Sequence, residues 1–253
     1  MTAMHVATHI DQLEQHGAGL ASAAERVRLT TAVPTCPEWD VRALLAHIGY
    51  VHRWAATHVR DGAAAFDGQT EPQFPAPDDD DRVLAWYRAG HAELVDTLRA
   101  APDDLVARTF LADAGPPRAF WARRQAHETA IHRADAEAAG DAALEVDREF
   151  ALDGIAELLE GFYARRGGKL LADPPLSLRV APTDARVSWL VRLEPERRVI
   201  TRDGDAPADC TLRGTAADLY LQLWNRRSPG EARVEGDPAA IEVWRRLARV
   251  RWS

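Results

Sequence analysis

Lysine, cysteine and methionine are scarce in this 253-residue chain. Lysine occurs once, at Lys169, so arginine supplies nearly all of the positive charge. Asp and Glu outnumber Lys and Arg by 39 to 31, which gives a formal net charge of -8. A surface that binds nucleic-acid phosphates is usually basic. The charge balance therefore argues against general nucleic-acid binding.

Long apolar runs are also missing. No segment approaches the roughly 18 consecutive apolar residues of a membrane-spanning helix, and the first residues lack the pattern of a secretory signal. The two cysteines, Cys36 and Cys210, lie in different segments and are too few for a disulfide framework. A lone cysteine is more typical of a small buried hydrophobe than of a nucleophile. We therefore expect a protein of the reducing cytoplasm that does not bind membranes.

The residues that are present predict two folded regions. A hydrophobic content of 46% and a charged content of 28% are typical of a globular protein, and the length favours two domains. Helical spacing of apolar residues continues to about residue 165, and short alternating runs follow Pro174 and Pro175. We predict an α+β protein, with a helical bundle over 1–168 and a small α+β domain over 169–253. The second domain should contain an antiparallel sheet covered by helices.

A proline-rich turn precedes the second predicted helix. Two prolines restrict the backbone of residues 33–40, and Asp40 is the expected N-cap of the helix that starts at Val41. On that helix His47 shares a face with apolar residues, so it is predicted to point inward. His52 lies about 140° further around the helix and should face elsewhere.

The helix predicted between Pro117 and Gly140 carries the most informative pattern. Glu128 and His132 are four residues apart and leave the same face, with Asp135 three residues later. Taken alone, a Glu/His pair is commonly a surface pair that stabilises a helix, and that alternative stays open.

The histidine before Glu128 does not complete a zinc-protease motif. That motif, H-E-x-x-H, requires a second histidine four residues after the first, and Ile131 stands four residues after His127. His127 is about 100° from the Glu128 face, so we interpret it as structural or as a support for a ligand. A lone histidine on an apolar face is also more often a core residue than a ligand.

Two imidazoles and one carboxylate form the ligand set of an open zinc site. His47, Glu128 and His132 would supply three protein ligands, and water or substrate would occupy the fourth position. Facing helices in a bundle interior commonly build such sites. Asp135 could orient a ligand histidine or contact the substrate. The pattern thus predicts a site for Zn²⁺ or another divalent metal.

Two segments resemble the mycothiol-dependent maleylpyruvate isomerase family. They are VPTCPEWDVRALLAH at 33–47 and AHETAIHRAD at 126–135, and weaker similarity extends to 153–157, 214–219 and 223–226. The resemblance implies a DinB-like four-helix bundle, followed by a small domain similar to sterol carrier proteins. It also implies zinc on His47, Glu128 and His132. An arginine of the C-terminal domain would assist catalysis, with Arg226 as the best match and Arg227 and Arg233 nearby.

The activity implied by the resemblance is activation of mycothiol, a low-molecular-weight thiol cosubstrate, for attack on a small electrophile. The implied reaction is an isomerisation. Two alternatives remain open, namely a mycothiol S-transferase that acts in detoxification and a non-catalytic protein that binds metal or small molecules. We expect the partners to be the thiol and a small-molecule substrate, and the protein to be a monomer or a homodimer.

Overall fold

The computed structural model confirms an α+β protein. It describes residues 4–62, 73–111, 114–165, 167–204, 206–226, 230 and 232–248. The chain divides into two compact units, Met4–Ala143 and Leu144–Ser253, of which the first is helical and the second contains a sheet. No helix in the described ranges is both long enough and apolar enough to cross a membrane.

Four long helices form the first unit, as predicted. They are α1 (Val6–Glu25), α2 (Val41–Asp61), α3 (Asp80–Ala100) and α4 (Pro117–Ala139). Helix α4 packs against α1 and α2, and α3 packs against α1 and α2. Apolar residues such as Leu13, Leu44 and Ile48 are fully buried between them. The four-helix bundle is therefore confirmed.

Local sequence signals explain where the two site-bearing helices begin. The Asp40 carboxylate accepts a hydrogen bond from the Ala43 amide at 2.8 Å, which confirms the predicted N-cap of α2. Helix α4 begins at Pro117, where a missing amide hydrogen costs nothing because first-turn amides have no partner within the helix. The turn before α2 is closed by a hydrogen bond from the Val33 amide to the Trp39 carbonyl at 2.9 Å. Both helix starts therefore have fixed positions.

The second unit combines a five-stranded sheet with short helices. The strands are β1 (Leu176–Pro182), β2 (Trp189–Leu193), β3 (Arg198–Arg202), β4 (Cys210–Gly214) and β5 (Arg233–Gly236). The helices are α5 (Arg148–Ala156), which continues into a π-helix (Glu157–Phe162), then α6 (Ala216–Leu223) and α7 (Ala239–Leu247).

The predicted antiparallel sheet is confirmed, and it includes one parallel pair. The strand order is β3-β2-β1-β4-β5, and β1 pairs with β4 in parallel, while the other neighbours are antiparallel. After the β1–β2–β3 meander the chain returns to the free edge of β1 and adds β4 there. The parallel pair could not be predicted, because alternation of side chains does not specify strand direction.

The two compact units divide at Ala143, so α5 and the π-helix group with the sheet, and α5 packs on α6. The expected domain boundary between 168 and 169 stays a prediction. The Asp147 carboxylate caps α5 by accepting hydrogen bonds from the amides of Glu149 and Phe150. Helical spacing in 148–162 resembles that of a bundle helix, and it does not reveal which unit the helix packs against.

Candidate metal centre

The first unit brings His47, Glu128 and His132 together. Glu128 Oε1 lies 3.3 Å from His132 Nε2 and 3.8 Å from His47 Nε2. One ligand atom from each residue lies within 4.8 Å of the other two. Tetrahedral coordination with metal–ligand distances near 2.0–2.1 Å separates ligand atoms by about 3.3–3.4 Å. The three side chains are therefore close to the spacing that a metal ion requires.

The three side chains differ in burial. Glu128 and His132 are buried, whereas the His47 side chain is 24% exposed. The expected inward direction of His47 is therefore only partly realised, since solvent reaches its ring. A buried carboxylate is costly unless charged or hydrogen-bonding partners compensate for lost hydration. The two histidines provide such partners for Glu128, and solvent reaches the site on the side of His47.

Glu128 is held as a carboxylate by its neighbours. The Nη2 of the fully buried Arg124 donates a hydrogen bond to Glu128 Oε2 at 2.9 Å. Burial raises the pKa of Glu128, but hydrogen bonds with His132 and His47 and the charge of Arg124 lower that pKa well below its ordinary value. A metal ligand must be deprotonated, and Glu128 meets that requirement.

Sequence reasoning missed Arg124, although the signal was present. Arg124 precedes Glu128 by four residues, the spacing of an intrahelical ion pair. Such pairs are usually on the solvated face, and nothing in the sequence indicated that this one is buried.

Asp135 orients His132. The Nδ1 of His132 lies 2.9 Å from Asp135 Oδ2, and Asp135 is fully buried. With Nδ1 on Asp135, the Nε2 of His132 faces Glu128. Burial lowers the pKa of His132, but the hydrogen bonds to Asp135 and Glu128 outweigh it and raise that pKa to about 9. Each ring nitrogen of His132 therefore faces a carboxylate.

The turn before α2 contacts the same group of side chains. Thr35 Oγ1 donates to Asp135 Oδ1 at 2.5 Å, and Cys36 Sγ lies 3.7 Å from Asp135 Oδ2. The Trp39 ring lies 4.7 Å from the His47 ring and 5.8 Å from the His132 ring, centroid to centroid. The sequence predicted a rigid turn here and a segment of the family resemblance, but not these contacts, because loop geometry leaves no periodic signal.

His52 and His127, on the same two helices, lie outside this group. His52 is fully buried and faces elsewhere, as expected, with Nε2 2.9 Å from Thr129 Oγ1 and its ring near Tyr87. His127 is also fully buried, and its ring centroid lies 6.1 Å from that of His9. A structural assignment for His127 remains a prediction.

The candidate arginines belong to the second unit. Arg226 follows α6, is half-buried and donates from Nη1 to the Trp224 carbonyl at 2.8 Å. Arg233 is exposed on β5, and Arg227 lies outside the described residues. The role of Arg226 therefore remains a prediction.

Comparisons with known proteins agree with the architecture. Residues 10–137 match the mycothiol maleylpyruvate isomerase N-terminal domain, and residues 149–242 match the family's C-terminal domain (MDMPI C-terminal domain). No curated protein matches the chain.

Two solved structures show the same fold. They are crystal structures of the mycothiol-dependent maleylpyruvate isomerase, with a TM-score of 0.59, and of a histidine-to-alanine mutant, with a TM-score of 0.60. Each is 14% identical to this chain, and each alignment covers 92% of this chain and 95% of the other. The two domain matches span most of the sequence, and the chain therefore belongs to the mycothiol-dependent maleylpyruvate isomerase family.

Proposed function

We propose that this protein is a metal- and mycothiol-dependent enzyme that activates a thiol for attack on a small electrophilic substrate. The observation that supports the proposal most is the convergence of His47, Glu128 and His132 at a partly accessible position of the bundle. Membership of the family supports the choice of thiol cosubstrate.

The donor set fits a divalent metal such as Zn²⁺. His47 Nε2, Glu128 Oε1 and His132 Nε2 would hold it, which is the His₂Glu combination of open catalytic sites. When bound, such an ion supplies a Lewis-acidic position that lowers the pKa of a coordinating thiol.

The surrounding residues prepare this ligand set. Asp135 accepts from His132 Nδ1 and thereby leaves Nε2 as the ligand atom, and Thr35 fixes the other oxygen of Asp135. The Trp39 ring lies against both imidazoles. The protein thus restricts the orientation of its ligands before substrate binds.

Arg226 is proposed to bind a carboxylate of the substrate. A guanidinium donates two parallel hydrogen bonds to a carboxylate, which fixes orientation as well as position. The Nη1 of Arg226 contacts a backbone carbonyl, and this contact restricts the side chain. An Arg226→Lys variant should raise KM for a substrate that has a carboxylate more than for one that lacks it. Equal effects on both substrates would contradict this role.

Elemental analysis of purified protein tests the metal site. The wild-type chain should carry about one divalent ion, and His47→Ala and Glu128→Ala should lose it. Matched controls are His5→Ala and Glu149→Ala, which remove exposed residues of the same types and should retain the ion. Stoichiometric metal in both site variants would contradict the proposal.

The fate of the thiol distinguishes the reaction types. With mycothiol and maleylpyruvate, an isomerase returns all free thiol, whereas an S-transferase that acts on halogenated or epoxide electrophiles consumes it. Thiol titration before and after turnover measures the difference. Calorimetric binding of mycothiol to metal-loaded protein, without turnover of any tested electrophile, would favour a non-catalytic binding protein.

A further inference from the structure

We propose that Arg124 is a positioning residue that limits Glu128 to metal coordination through one oxygen and so keeps a coordination position open for the thiol. This inference rests on the proposed function, because it concerns the metal that His47, Glu128 and His132 would hold.

The two oxygens of Glu128 have different partners. Oε2 accepts the hydrogen bond of Arg124 Nη2 at 2.9 Å, whereas Oε1 lies 3.3 Å from His132 Nε2 and 3.8 Å from His47 Nε2. Arg124 stands one turn before Glu128 on α4, so the helix itself holds the guanidinium beside Oε2. The carboxylate is therefore oriented with Oε1 toward the two imidazole nitrogens.

This orientation determines how many coordination positions remain. A carboxylate can bind a metal ion through one oxygen or through both. With three protein ligand atoms, a catalytic zinc site leaves its fourth position to an exchangeable ligand. If Glu128 contributed both oxygens, the protein would supply four ligand atoms, and water or the thiol could bind only as a fifth ligand in a more crowded site. Arg124 prevents this by engaging Oε2.

The burial of the pair argues against an ordinary helix-stabilising role. Pairs of Arg and Glu four residues apart usually lie on the solvated face and contribute little. Here the Arg124 side chain is fully buried and that of Glu128 is 4% exposed. Dehydrating a guanidinium is costly, and an apolar side chain of similar volume would often pack there as well. An apolar side chain could not donate the hydrogen bond to Oε2.

Cobalt substitution of the full-length protein tests the inference. Metal-free wild type, Arg124→Met and Arg124→Lys are loaded with Co²⁺, whose visible absorption is stronger in four-coordinate than in five-coordinate sites. Methionine is an unbranched apolar side chain without a donor, whereas lysine keeps a charged donor. A titration with 2-mercaptoethanol as the probe then reports the open position.

We expect wild type to give a four-coordinate spectrum that changes on addition of the thiol. Arg124→Met should give a weaker, five-coordinate spectrum and bind the thiol at least tenfold more weakly, and Arg124→Lys should restore most of both properties. An Arg124→Met protein with the wild-type spectrum and the wild-type thiol affinity would overturn the proposal.

A second measurement does not depend on the folding of a variant. A crystal structure of the metal-loaded wild type should show Glu128 bound through Oε1 alone and Oε2 still on Arg124. Coordination through both oxygens would refute the role of Arg124 but leave the proposed function intact. Failure of the wild type to take up Co²⁺ or Zn²⁺ would instead refute the proposed function itself.

Discussion

The two units of this protein differ most in where their ionisable side chains lie. All nine histidines fall between His5 and His132, so the second unit has none. Helix α4 buries Arg124, Glu128, His132 and Asp135. In the described strands of the second unit, the buried residues are apolar, as illustrated by Val180, Trp189 and Leu212.

The distribution of histidines indicates which unit can hold the candidate metal. The sheet shows the usual separation of apolar interior and charged surface, with ion pairs such as Arg213–Glu235 exposed to solvent. The bundle interior instead contains charged side chains, which require charged or hydrogen-bonding partners. A metal site that uses imidazole ligands can be built only by the first unit. Substitutions of matched residues in α4 and in the sheet should therefore differ strongly in their effects on the free energy of unfolding and on metal affinity.

The largest difference is expected between Glu128→Ala and Glu235→Ala. Removal of Glu128 leaves the buried Arg124 and His132 without a carboxylate that both contact, which should cost about 3–5 kcal/mol in the free energy of unfolding of the metal-free protein. Glu235 is exposed, so its loss should cost a small fraction of that value. Denaturant unfolding of both variants measures the difference, and equal losses of stability would contradict it.

Acid should destabilise the bundle through its buried histidines. Burial and the nearby charge of Arg133 lower the pKa of His16 to about 4, from an ordinary value of 6.5. The fold therefore favours neutral His16, and this contribution to stability is complete above about pH 6.5 and is lost as the pH falls through 4. The loss from one such histidine is at most about 3 kcal/mol.

Unfolding curves between pH 7 and pH 4 measure this effect. The pKa of His58 is likewise lowered to about 4, chiefly by burial. His16→Asn should therefore remove only part of the pH dependence of the free energy of unfolding. A wild-type protein whose free energy of unfolding stays constant over this range would contradict the account.

Asp135→Asn tests the support of the ligand His132. The amide of asparagine can present an NH₂ group to Nδ1, which allows the wrong tautomer, so we expect metal affinity to fall by about 10–100-fold. The matched control is Asp209→Asn, since Asp209 is exposed and accepts hydrogen bonds from Ser177 at the start of β1. Competition with a chromophoric chelator measures the affinities. An Asp135→Asn protein with wild-type metal affinity would contradict a role for Asp135 in orienting His132.

The smallest effect is expected for Thr35→Val. This change removes one hydrogen bond to Asp135 but leaves the contact between Asp135 and His132, so metal affinity should weaken by less than about tenfold. Thr201→Val, on the exposed part of β3, should leave the affinity unchanged. If Thr35→Val weakened metal binding more than Asp135→Asn does, the claim that Thr35 acts on His132 only through Asp135 would be contradicted.

Helical periodicity was sufficient to select the three candidate ligands. Their spacing places Glu128 and His132 on one face, and the face shared by His47 with apolar residues directs it into the bundle. A local signal also located Asp40 as a helix cap. These features depend on residues close in sequence, which is why the sequence reveals them.

Contacts between distant residues could not be obtained in this way. The hydrogen bond from Thr35 to Asp135 joins residues 100 positions apart, and the parallel pairing of β1 with β4 depends on the path of the connecting chain. Arg124 has a local signal, but its burial depends on tertiary packing. Sequence thus predicts which side chains are available, whereas packing determines which of them meet.

Anomalous diffraction at the zinc edge, from crystals of the protein loaded with Zn²⁺, tests the central claim most directly. The account predicts one strong peak within coordination distance of His47 Nε2, Glu128 Oε1 and His132 Nε2, and no such peak in crystals of Glu128→Ala. A zinc-loaded wild-type crystal with no peak among these three atoms, or with its main peak elsewhere, would contradict it.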